Sequence, residues 1–221
     1  RNKAATLSDI RNMKLPIPSL KIQIEIANFL TKETKHIDKL IKVKEKIIIL
    51  LDQKEKALIR HTIIKGINSD IKLKDTNIEW IGRIPQHWNI YRSKYILLES
   101  NERTNSEQEE LLSVSHITGV TSRSEKKVNM FLSKSFVGYK KVNKEDLVIN
   151  TLWGWMGAMG ISPKDGIVSP EYNVYTVSDK MLPAYLNILV KMDLFIEEVN
   201  KFSRGIYSSR LRLYPEDLFK I

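Results

Sequence analysis

Residues 34–65 contain no proline or glycine, are rich in lysine, and carry apolar side chains at Ile37, Leu40, Ile41, Ile47, Ile48, Leu51 and Leu58. Spacings of three and four place these residues on one face of an α-helix. At 1.5 Å per residue such a helix reaches roughly 48 Å, longer than a small domain is wide. Its apolar stripe therefore calls for a partner helix or a docking surface. With Ile37 at an a position, the heptad a series continues through Lys44, Leu51 and Leu58, and the d series runs Leu40, Ile47, Lys54 and His61. Two lysines and a histidine at core positions argue against a long, tight self-dimer and favour a groove-docked helix or an antiparallel pair with a related helix. A plain surface helix packed on its own domain is the alternative.

On the N-terminal side, Leu15-Pro16-Ile17-Pro18 is expected to be extended, because each proline disfavours helix at the residue before it. Ser19 stands where an N-cap belongs, ahead of a short amphipathic helix expected to run to about Thr31. Gly66 is placed to end the long helix. Beyond it the texture changes. Asn68-Ser69-Asp70 and Asp75-Thr76-Asn77 are turn-rich, and β-type runs follow at residues 90–98, 111–115, 128–131, 146–151, 166–168 and 172–177. Residues 184–202 read as one helix with an apolar face from Tyr185 to Val199. The fold class expected is α+β: short strands and few helices in a compact domain at residues 67–221, joined to a long coiled-coil-like helical region at 19–66. Asp9-Ile10-Arg11-Asn12-Met13 and Asp217-Leu218-Phe219-Lys220-Ile221 form a weak repeat at an offset of about 208 residues, far beyond a solenoid period. Residues 1–18 accordingly read as a linker or the end of a preceding repeat, and the start at Arg1 rather than methionine fits a segment of something longer.

Among 221 residues, 42% are apolar and 28% charged, as in an ordinary globular protein. There is no signal-peptide pattern and no apolar run of membrane-spanning length, so no membrane partner is expected. The lack of cysteine excludes disulfides, thiolate zinc sites and cysteine nucleophiles, and fits a cytoplasmic location. A net charge of +10 makes nucleic acid the first partner to consider. Residues 1–66 hold fifteen Lys/Arg against seven acids, while the other 155 residues hold 21 against 19. A DNA-reading surface there must come from segregation of charge.

Two clusters are segregated in this way. Arg123, Lys126, Lys127, Lys134, Lys140, Lys141 and Lys144 are interrupted only by Glu125, and Lys201, Arg204, Arg210 and Arg212 are interleaved with Tyr207, Ser208 and Ser209 with no acid between. Arginines beside small hydroxyl residues and Gly205 suit close approach to a backbone and bidentate contact with guanine, whereas the lysines of the first cluster suit phosphates. A solvated loop is the bland reading of each. Asn150, Trp153 and Trp155 flank Gly154, and the tryptophans either stack on bases or anchor a turn in the core. Trp80 and Trp88 are expected to pack. The lysines of the long helix read as a solvated face, or as contacts to phosphates if that helix lies near a duplex.

Catalytic readings find little support. His36, His61, His87 and His116 are scattered, no HExxH, P-loop or Gly-x-Gly-x-x-Gly is present, and no cofactor or metal is called for.

Several stretches together resemble the specificity (S) subunit of type I restriction–modification enzymes. Leu15-Pro16-Ile17-Pro18-Ser19-Leu20-Lys21-Ile22-Gln23, running on through Ile26-Ala27-Asn28-Phe29-Leu30, is similar to the family's Pro-Leu-Pro-x-Leu-x-x-Gln-x-x-Ile-x-x-Phe-Leu signature. The lysine-rich helix follows, then Ile78-Glu79-Trp80-Ile81-Gly82 with Ile84-Pro85 and His87-Trp88, and finally residues 146–158 and Gly166-Ile167-Val168-Ser169-Pro170. The resemblance implies a non-catalytic subunit: a target recognition domain reads one half of a bipartite double-stranded DNA target, and the helices set the gap between halves and dock methyltransferase (M) subunits, which the restriction (R) subunit joins. The family usually carries two recognition domains and two helical regions, so one of each implies a fragment or a half-length subunit that pairs with a second copy or a sister repeat. The alternatives are a coiled-coil interaction scaffold that never touches DNA, or a fragment of a larger methyltransferase or nuclease polypeptide.

Overall fold

The structure, a computed structural model, describes residues 6–126, 135–207 and 210–221. The expected strand at 128–131 and the candidate contacts Lys127 and Ser208 lie outside them, as do Lys134 and Ser209. The chain divides into two compact units, Arg1–Glu55 and Lys56–Ile221.

The first unit holds α1 (Leu7–Arg11) and most of α2 (Leu20–Lys65). A Thr6–Asp9 capping box starts α1: the Thr6 hydroxyl accepts from the Asp9 N–H, and the Asp9 carboxylate accepts from the Thr6 N–H. Where two helices were expected, residues 20–65 form one. Nothing at 31–34 interrupts the backbone ladder, and the Thr34 hydroxyl donates to the Leu30 carbonyl at 2.7 Å, which satisfies it inside the helix. No residue of this unit is buried among those described. Every stripe residue from Ile37 to Leu51 is exposed, as are Ile49 and Leu50. The run Ile47–Ile48–Ile49–Leu50–Leu51 therefore makes the helix apolar all round for more than one turn. The matched ends of the repeat are both helical in the same register, Leu7 and Ile10 in α1 against Pro215 and Leu218 in the short helix Pro215–Leu218.

In the second unit, the last turns of α2 bury Ile63 and Ile64, and Gly66 ends the helix in the left-handed region at φ +80. Then follow β1 (Leu73–Asp75), β2 (Arg83–Pro85), β3 (Leu97–Ser100), β4 (Leu112–Ser115), β5 (Gly119–Ser122), β6 (Lys140–Val142), β7 (Leu147–Asn150), β8 (Met159–Ile161), β9 (Gly166–Val168), β10 (Tyr172–Val177), α3 (Pro183–Leu189), α4 (Asp193–Phe202) and α5 (Pro215–Leu218). All pairings between these strands are antiparallel. The main sheet has the order β3-β10-β7-β8, and β1-β2, β4-β5 and β6-β9 are two-stranded. The mixed α+β class is therefore as expected. Only the end of the predicted strand 90–98 is extended, because the Ser93 hydroxyl and N–H donate to the Leu218 and Ile221 carbonyls and draw that segment into a short 3₁₀ turn. The single helix expected over 184–202 is two, broken where Met192 is extended (ψ 136). Val190, Met192, Phe195 and Val199 are all buried across the break, so an apolar periodicity read from sequence does not detect it.

One core cluster joins Ile63 and Ile64 to the inner faces of β7, β8 and α3–α5, with Trp80 and Trp88 packed against it; Trp80 meets Phe195 edge-on at 5.8 Å. A second gathers Leu112, Val114, Val120, Val142, Val148, Val168 and Val174, with Tyr172 against it. No helix among the described residues is long and apolar enough to cross a membrane.

Candidate nucleic-acid interface

The basic segment after α4 folds into a closed arch. Arg204 and Arg212 exchange backbone hydrogen bonds, N–H to carbonyl, at 2.9 and 2.8 Å. Within the arch Gly205 passes so close to Arg210 that a Cβ would stand 2.6 Å from the Arg210 carbonyl oxygen, so only glycine fits without a shift. The Arg204 guanidinium donates from Nε to Asp217 and at 2.6 Å to Glu216, and lies over the Tyr214 ring at 5.0 Å. Asp217 is 2% exposed and also accepts from Lys220 Nζ at 2.7 Å. Burial pushes its carboxyl up, but the hydrogen bonds from Lys220 and Arg204 outweigh that and leave it below the ordinary carboxylate value.

Arg204, expected to contact DNA, has these donors engaged while 55% of its side chain stays exposed. The cluster lacks acid along the sequence, yet α5 brings two carboxylates to it, and Arg204 is a brace. Lys201 is similarly engaged by Glu198 at 2.9 Å and Glu79 at 3.9 Å. Tyr207, Arg210 and Arg212 remain exposed, and neither of these two arginines has an ion pair among the described residues.

The turn after β7 stands against the foot of the arch, where the Leu213 N–H donates to the Thr151 carbonyl at 3.2 Å. Asn150, expected to contact DNA, is buried. Its Oδ1 accepts from the Leu152 N–H at 3.1 Å, and its Nδ2 donates to the Tyr172 hydroxyl at 3.0 Å. Those bonds make Asn150 a builder of the turn, not a reader. Trp155 is half-buried, with Nε1 donating to the Leu152 carbonyl at 3.1 Å, whereas Trp153 is 49% exposed. Gly154 lies tight against Leu213, where a Cβ would stand 3.3 Å from the Leu213 Cβ.

No protein-family model matches the chain.

The first basic cluster begins where β5 ends. β5 runs into a 3₁₀ turn, Arg123–Glu125, whose Arg123 N–H donates to the Leu111 carbonyl at 2.8 Å. Lys126 is half-buried and donates to Ser113 Oγ at 3.3 Å; burial first, and then the Arg123 charge, lowers its pKa. Burial raises the pKa of Tyr172, and Arg123 draws it back, so this arginine bears on the phenol that Asn150 holds. Within β6 the strand alternation separates two neighbours that sequence treats alike: Lys141 is exposed, and Lys140 is 5% exposed with its pKa lowered by burial. Lys140 is thereby withdrawn from the set of surface phosphate contacts.

Arg123, Lys126, Trp153, Tyr207, Arg210 and Arg212 thus follow the ends of β5, β7 and α4 along the chain. Sequence reasoning missed Tyr172, Tyr214 and Asp217, which hold these segments; none stands in a basic run. A cavity of about 630 Å³ elsewhere in the unit is lined almost wholly by apolar groups, including Trp80, Trp88, Phe195 and Ile221, and by none of the candidate contacts.

Proposed function

We propose that the chain is a DNA sequence-specificity module of the type I restriction–modification kind, in which the Lys56–Ile221 unit reads one half of a bipartite duplex target and α2 serves as spacer and docking helix for methyltransferase subunits. Catalysis then belongs to those subunits, and the restriction subunit joins through them in the cytoplasm. The observations that support this reading best are that the foot of the arch bonds to the turn after β7 through Leu213 and Thr151, and that Arg123 acts electrostatically on Tyr172, which Asn150 of that turn holds. Cations with no ion pair among the described residues, in segments that also expose an indole and a phenol, suit phosphates and base edges. The all-round apolar stretch at residues 47–51 supports a protein partner on more than one side of α2.

The exposed helix alone equally suits an interaction scaffold that never meets DNA. Binding of the purified chain to duplex DNA over a range of salt separates the two. Phosphate contacts release counterions and give a steep fall of affinity with salt, and a slope near zero, or no binding, sinks the DNA reading. Light scattering of the chain with and without its methyltransferase subunit tests the docking role, which a monomer indifferent to that subunit would contradict.

A further inference from the structure

The cavity of about 630 Å³ lies wholly within the Lys56–Ile221 unit and shares no residue with the candidate DNA contacts. Close-packed interiors hold few voids larger than a water molecule, whereas ligand clefts run from about 300 to 1,000 Å³. The core residues Leu147, Ile149, Met159 and Phe195 form part of the lining, with Trp80 and Trp88 packed beside them. Ile90, Tyr91, Lys180 and Leu182 also line it and are exposed, which marks where it opens to solvent.

What this wall offers a ligand is narrow. The Tyr185 hydroxyl already donates to the Ile63 carbonyl at 3.0 Å, and the Ser93 hydroxyl to the Leu218 carbonyl. The remaining polar lining residues, Asn89 and Lys180, are both exposed. Lys180 is the only charged side chain of the lining. It has no ion pair among the described residues, and its Nζ stands over the Tyr91 ring at 5.6 Å. A peptide among these side chains would leave its own N–H and C=O groups without partners, a cost that a hydrocarbon avoids.

We propose that the cavity binds a medium-chain alkyl carboxylate, with the hydrocarbon among the apolar side chains and the carboxylate on Lys180 Nζ at the opening. The flexible stem of Lys180 lies along apolar surface while its ammonium stays in water, so the head can meet the carboxylate in a charge-assisted hydrogen bond. The site is independent of the DNA reading above.

The test is calorimetric titration of the full chain with decanoate, held below its micelle concentration, and with decyltrimethylammonium, which carries the same tail and the opposite charge. Decanoate is expected to bind saturably, one per chain, and the ammonium at least about tenfold more weakly. Lys180→Gln, at an exposed position that keeps the fold, weakens decanoate on the order of tenfold and leaves the ammonium no weaker than before. Leu189→Trp fills part of the cavity from a half-buried position on α3 and weakens both ligands, while the circular dichroism stays that of the wild type. No saturable decanoate binding, equal binding of the two charges, or a decanoate affinity that survives either substitution overturns the proposal. None of these outcomes bears on DNA recognition.

Discussion

Asp217 shows how one residue can decide the role of its neighbours. It is buried, and Arg204 and Lys220 both converge on it. Arg204→Ala leaves this carboxylate with a single cation and is expected to lower the urea midpoint of unfolding at neutral pH. Because the folded-state pKa of Asp217 lies below its ordinary value near about 3.9, the stability it contributes is present above that value and is lost as pH falls through the folded one. The gap between wild type and Arg204→Ala should therefore narrow when unfolding is repeated below about pH 4. Gly157 poses a different constraint. It sits at φ +86, and a Cβ there would meet Ile196 Cδ1 at 2.6 Å. The isoleucine tip can swing aside, so the penalty of Gly157→Ala is that of the left-handed backbone, about 1–2 kcal/mol, read as a lowered thermal midpoint. Glycine's role at 66 was legible from its place after the helix. At 157 and 205 nothing in the local sequence announces which backbone or side chain comes close.

The element that most rewards measurement is α2, because its two ends obey different rules. Ile63 and Ile64 are buried in the Lys56–Ile221 unit, and Leu40 and Leu51 are exposed. Ile64→Ala should destabilise that unit by about 2–4 kcal/mol, whereas Leu40→Ala should change the unfolding of the isolated chain by under about 0.5 kcal/mol. Leu51→Lys should leave the fold intact and, under the proposed function, abolish assembly with a partner helix or methyltransferase subunit, seen as a loss of mass in light scattering. The lysines that spoil the heptad have an explanation in a longer period. Ile26, Ile37, Ile48 and Ile59 recur every eleven residues, and Phe29, Leu40 and Leu51 do the same. Eleven residues over three turns suit a straight or slightly right-handed pairing better than the left-handed heptad coil. Helix and stripe were legible because periodicity is a local property. The break between α3 and α4 was not, since both segments turn their apolar faces to the same core.

For the whole molecule, the proposed DNA binding is tested by its salt dependence, which would report which cations face the duplex. Lys141→Ala should reduce the log–log slope by about 1, and its neighbour Lys140→Ala should leave the slope unchanged while lowering stability. The outcome depends on strand alternation, which places one lysine outward and the other within the fold. By itself the sequence determined the long helix and its stop at Gly66, the strands at 147–150, 166–168 and 172–177, the packing of Trp80 and Trp88, and the segments in which cations and aromatics collect. Those features follow from spacing, turn chemistry and composition, all of which are written along the chain. The tertiary structure decided which of the collected residues are free to meet a partner. It paired Arg204 with Glu216 and Asp217, buried Lys140 and Asn150, and left Trp153, Tyr207, Arg210 and Lys141 outward. Whether a charge is free depends on burial and on how near an opposite charge lies, and both are set by folding rather than by position in the sequence.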